Sequence, residues 1–101
     1  MDTDDLSTET YQAIIAEAEK FNHDLTLQFG EMASSCEDEK AYLMEAKELI
    51  MEIRKMDKDD LSDLFFGNPP AKNNLYQALD RILKNIAEVE KIPEESRHYD
   101  F

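Results

Sequence analysis

The chain has 101 residues, 42% of them hydrophobic, and carries 24 Asp and Glu against 11 Lys and Arg, for a net charge of −13. That length suits one domain with one core, residues 1–101. The charge opposes direct nucleic-acid binding, which needs cations to displace phosphate counterions, and opposes docking on anionic lipid. A single cysteine, Cys36, excludes an intramolecular disulfide and suits a reducing, cytoplasmic setting. The acidic start Met1-Asp2-Thr3-Asp4-Asp5 is unlike a secretory leader, and no apolar run approaches membrane-spanning length.

With 2 Gly and 3 Pro there are few breaks, so long helices joined by short turns are expected. Helix 1 is predicted over about 7–33. Ser7 is its N-cap, Leu6 and Tyr11 have the spacing of a hydrophobic staple, and the stripe Tyr11, Ile14, Ile15, Ala18, Phe21, Leu25, Phe29, Met32 steps by three and four. Gly30 is a second candidate for its end, but Met32 continues the stripe beyond it.

Ser34-Ser35-Cys36-Glu37-Asp38-Glu39 reads as a turn and a restart, because hydroxyls and acids both favour a helix N-terminus. Helix 2 then spans about 36–56 with stripe Tyr42, Leu43, Ala46, Leu49, Ile50, Ile53, Met56. A short helical turn over about 59–66 ends at Gly67, and Asn68-Pro69-Pro70 is a linker, since neither proline continues a helix. Helix 3 runs over about 71–91 on Leu75, Leu79, Ile82, Leu83, Ile86 and Val89, and Pro93 stops it. Residues 94–101 read as a polar, mobile tail with Tyr99 and Phe101 in it. The expected fold is all-α, an antiparallel up-down-up three-helix bundle with the extra turn after helix 2. An unbroken rod from Tyr11 to Met56 is the competing shape.

Acids recur every seven residues at Glu17, Asp24, Glu31, Asp38, Glu45, Glu52 and Asp59. Heptad spacing keeps a side chain at one angle on a helix. If helices 1 and 2 turn back near Ser34, the flanks that meet carry the rungs Glu17/Glu52, Asp24/Glu45 and Glu31/Asp38. Carboxylates about 7 Å apart in water repel by only about 0.6 kcal/mol, so the fold tolerates the row. The plainer reading is a solvated edge. The functional one is an acidic groove, formed by Glu17, Asp24, Glu31, Asp38, Glu45 and Glu52, that takes a cationic segment of a partner protein. A hard divalent metal is a further occupant of such a carboxylate row.

Leu27, Met44 and Met51 point away from their own stripes, and the two methionines, seven apart, form an outer apolar line. Scattered surface apolars are ordinary; the alternative is a contact surface, with a homodimer as its simplest form.

Catalytic patterns are weak. His23 is an exposed helical histidine, as phosphotransfer needs, but Asn22-His23-Asp24-Leu25-Thr26 lacks the lysine and small residues that admit a phosphodonor. Glu95-Ser96-Arg97-His98 occurs once, beyond a proline. Asp57-Lys58-Asp59 departs from a calcium loop at its fifth, sixth and twelfth positions, and Glu45 with Glu48 is a lone Glu-x-x-Glu. Cys36 lies among acids, which raise a thiol pKa. The sequence reading is therefore a non-enzymatic protein-interaction module without cofactor or metal. The alternatives are a nucleic-acid mimic that binds a basic protein, and a phosphotransfer or metal-binding helical bundle.

Overall fold

A computed structural model describes residues 5–99. Among these the chain is all-helical, as expected, with one isolated antiparallel bridge between Ser7 and Tyr99. Helix α1 covers 8–21: an α-helical turn Thr8–Tyr11, a wider π-helical stretch Gln12–Ala16 and a return to α-helix at Glu17–Phe21. Helix α2 is His23–Ser35, α3 is Glu39–Lys55, α4 is Lys58–Leu64 and α5 is Lys72–Glu90, followed by a 3-10 turn at Glu94–Ser96.

The expected single helix over 7–33 is interrupted at Asn22. Its backbone is extended, with φ −161° and ψ 134°, which ends one helix and begins the next. Every polar group of that residue's main chain has a use. Its N–H donates to Ala18 at 2.8 Å, and its carbonyl accepts from both the amide and the hydroxyl of Thr26. Its Oδ1 accepts from the amides of Asp24 and Leu25 at 2.8 and 3.2 Å, a helix N-cap. The chain folds back here: Tyr11, Ile15 and Glu19 from α1 line one groove with Thr26, Gly30 and Ser34 from α2, residues that a continuous helix would hold far apart. Antiparallel contacts continue round the molecule. Tyr42 of α3 donates to the Phe29 carbonyl of α2 at 3.1 Å. Lys47 and Arg54 of α3 pair with Glu90 and Asp80 of α5. Arg81 and Asn85 of α5 meet Glu17 and the Ala13 carbonyl of α1. Four long helices thus alternate in direction where the sequence reading had three. The longest dimension is 41 Å, whereas an unbroken rod from Tyr11 to Met56 would measure about 69 Å at 1.5 Å per residue.

The turn after α2 falls later than the serines. Ser34 and Ser35 stay in the helix and donate back to the carbonyls of Glu31 and Met32 at 2.7 and 2.9 Å, so Asp38 becomes the cap of α3 through the Ala41 amide. The apolar stripes meet in one core, with Ile14, Leu25, Phe29, Tyr42, Ile50, Ile53, Leu75, Leu79, Ile82 and Ile86 fully buried. Past α4, Phe65 is buried while Phe66 takes a left-handed conformation (φ 53°) and stands 73% exposed. None of the described helices is long and apolar enough to cross a membrane.

The segment expected to be a mobile tail is tied down up to Tyr99; Phe101 lies outside the described residues. At the end of the molecule where α1 and α3 begin and α5 stops, the carboxylate of Glu39 is 6% exposed. One of its oxygens accepts from the Ser7 amide at 3.0 Å and from the Ser7 hydroxyl, which also shares a 3.0 Å bond with Thr10. The other accepts from Arg97 Nη1 at 3.0 Å and the Tyr99 hydroxyl at 2.5 Å. The rest of the Arg97 guanidinium donates to the carbonyls of Val89 and Ile92, and the Thr8 amide donates to His98. Burial pushes the Glu39 pKa up, but hydrogen bonds from Ser7, Thr10 and Tyr99 outweigh it and hold the group down at about 2.

Two outcomes follow from these joints. Asn22→Ala removes the cap of α2 and should lower unfolding free energy in urea by about 1 kcal/mol. Because the Glu39 pKa is depressed on folding, its charge contributes stability that is complete above about pH 4.5 and fades as pH falls through about 2, amounting to about 3 kcal/mol. Glu39→Gln should lose about that much at pH 6 and show a flatter decline than the parent between pH 4.5 and 2, measured by urea titration at each pH.

Candidate functional site

The six acids of the heptad row do not share one groove. Glu17 lies on α1 and is engaged by Arg81 at 2.8 Å. Asp24 is half-buried in the first turn of α2, just past the Asn22 cap. Asp38 is spent as the α3 cap, and Glu45 accepts from the Cys36 thiol at 3.1 Å. Glu52 is exposed on α3, and Glu31 is exposed on the α1/α2 groove. The break at Asn22 separates Glu17 from Asp24 and Glu31, so constant helical phase no longer links them.

The apolar positions are also divided. Leu27, 39% exposed, lines the groove between α1 and α2. Met44, 53% exposed, lines the cleft between α3 and α5 with Lys40, Leu43, Glu90, Glu94 and Arg97. Met51 stays exposed at 56%, two turns along α3 from Met44. Only the methionine pair survives as a line.

The α1/α2 groove is the place where acidic and apolar candidates meet. Its floor is the buried Ile15 with half-buried Tyr11 beside it, and its rim carries Leu27, Glu19 and Glu31. It encloses about 470 Å³, a ligand-sized cleft open along its length. Gly30 sits inside α2 rather than at its end, and a Cβ built on it meets no atom within 4 Å. The groove is therefore clear over the middle of α2, where Gly30 carries no side chain. Tyr11 bonds Glu19 at 3.3 Å, and burial first, then the Glu19 charge, raises the phenol's pKa. Among the described residues no ion pair bridges α1 and α2, while the α1/α5 and α3/α5 seams are both crossed by one or more.

The sequence pattern contained one sign of this groove. Thr26, Gly30 and Ser34 are four apart, a row of small side chains on one face of α2. Burial and then the neighbouring Glu45 push the Cys36 thiol up to about 11, so it stays protonated at neutral pH. His23 is an exposed residue at the first position of α2. Among the described residues no three His, Cys, Asp or Glu side chains stand close enough to hold a metal ion. Compared with protein-family models, curated proteins and solved structures, the chain matches none.

Proposed function

We propose that this chain is a non-enzymatic helical module that binds another protein through its acidic surface, the partner presenting a cationic one. The supporting observation is a mismatch between charge and pairing. Acids outnumber Lys and Arg by 24 to 11. Ion pairs among the described residues occupy Glu9, Glu17, Glu39, Asp80, Glu88 and Glu90. Glu19, Glu31, Glu37, Glu48 and Glu52 are exposed and outside those pairs. Solvated carboxylates steer a basic surface toward the molecule and are left neutralised once it docks. A nucleic-acid mimic is the form of this reading in which the partner's basic surface otherwise grips phosphate. A reducing cytoplasmic setting fits a protonated Cys36.

A second reading is favoured by Met44 and Met51, which stand more than half exposed two turns apart on α3. A self-complementary apolar line of this kind suits a homodimer across a two-fold axis.

The two readings give different results. Cross-linked capture of a partner from native extract should fall steeply between about 50 mM and about 500 mM salt, because added ions screen exposed charges beyond a few Å. It should be lost in the triple variant Glu19→Lys, Glu31→Lys, Glu52→Lys; capture unchanged by salt and by these reversals would end the acidic-surface reading. Sedimentation tests the second. A dimer that becomes monomeric on Met44→Gln with Met51→Gln supports the methionine line, and a monomeric parent dismisses it.

A further inference from the structure

The acidic-surface reading can be carried to a place and a partner shape. Resting on it, we propose that the groove between α1 and α2 is the docking site for a cationic amphipathic helix, apolar face on Tyr11, Ile15 and Leu27, lysines or arginines on Glu19 and Glu31.

Charge complementarity selects the occupant. Helix α2 contains no Lys or Arg, and Lys20 is the one such residue in α1. Lys47, Arg54 and Arg81, three of the eleven Lys and Arg, are instead paired across the seams with α5. Both groove acids are exposed, and neither takes part in an ion pair among the described residues. A hydrophobic floor between them adds what a plain acidic edge lacks, since apolar contact supplies affinity while the charges orient the ligand.

Shape selects a helix. The groove follows two antiparallel helices, and the described residues offer no strand edge on which an extended peptide could add. From Tyr11 to Glu19 the floor runs about 12 Å at 1.5 Å per residue, two turns of a docked helix, so anchors spaced i, i+4, i+7 match it. Gly30 supplies the clearance that lets a second helix approach α2 closely.

The test uses a synthetic 14-residue leucine/lysine amphipathic peptide as probe, titrated into the isotope-labelled full chain and followed by amide NMR. Shifts should concentrate at Tyr11, Ile15, Glu19, Thr26, Leu27 and Gly30, and a peptide with each lysine replaced by glutamate should not bind. Gly30→Met adds a side chain where a Cβ meets no atom within 4 Å and raises helix propensity, so the fold should hold while probe affinity drops at least about tenfold. Leu27→Gln serves if that variant fails to fold, with a smaller loss expected. Shifts scattered over the acidic surface, undiminished binding to Gly30→Met, or no binding by the parent would each overturn the groove. Partner capture from extract that stays salt-sensitive but survives Gly30→Met would leave the acidic module standing and remove only this site.

Discussion

Asn22 holds an extended conformation between two helices, and the order of neighbours in this molecule depends on it. A single non-helical residue with its amide, carbonyl and side chain all bonded reverses the chain without a loop. Once α1 and α2 run antiparallel, α3 packs beside α2, and α5 closes the gap between α3 and α1. Were the helix continuous here, Glu17 would keep company with Asp24 and Glu31. Instead it faces α5, where Arg81 takes it up, and the acids divide among three helices with separate tasks: pairing, capping, thiol contact and groove rim.

The reversal brings the start of α1, the start of α3 and the end of α5 to one end of the molecule, where Glu39 joins them. Removing a carboxylate and a guanidinium from water costs several kcal/mol per ion, and only dense hydrogen bonding offsets it. Glu39 meets that condition with donors from Ser7, Arg97 and Tyr99, and Arg97 spends its remaining N–H groups on carbonyls at the end of α5 and just beyond it. A buried pair of this quality suits a registry device: hydrophobic faces tolerate sliding, whereas a carboxylate that must find donors on three specific residues does not. It also accounts for the burial of Ser7, whose hydroxyl caps α1 by accepting from the Thr10 amide, and of Thr10, whose own hydroxyl bonds that of Ser7 beside the carboxylate.

How much of this could be read from the residues varies with the physics involved. Ser7 as a cap, the stripes of α3 and α5, the short α4 and the proline linker are local in origin, and the structure agrees with each to within a few residues. The exposure of Met44 and Met51 also follows from periodicity alone. Asn22 was hidden because Phe21 and Leu25 are four apart, a step that serves an unbroken helix and also a fresh helix starting on the same core. Glu39 was hidden because it is one acid among several after Ser35; partners 32, 58 and 60 positions away distinguish it. For the same reason Arg97 and Tyr99 looked like a polar tail. Gly30 resembled a helix stop, and its real effect, a missing side chain in mid-helix, depends on which helix lies alongside.

The distribution of the few cations bears on how the α1/α2 face keeps its charge. Exposed ion pairs contribute little individually, about 0–1 kcal/mol, so seams crossed by Lys47, Arg54 and Arg81 gain little stability from them. What those pairs do change is the surface field. At the α3/α5 and α1/α5 seams they cancel the acids they pair with, and the α1/α2 face keeps Glu19 and Glu31 beside a low-dielectric apolar floor. At physiological salt, screening acts over about 8 Å, so distant acids add little and the local imbalance governs what approaches. A groove with apolar walls focuses the field of its rim carboxylates, whereas the same two charges on a flat surface are diluted by water. On the proposed reading, selectivity of this face for a cationic, amphipathic segment would come from where the lysines and arginines are placed, more than from the net charge of −13.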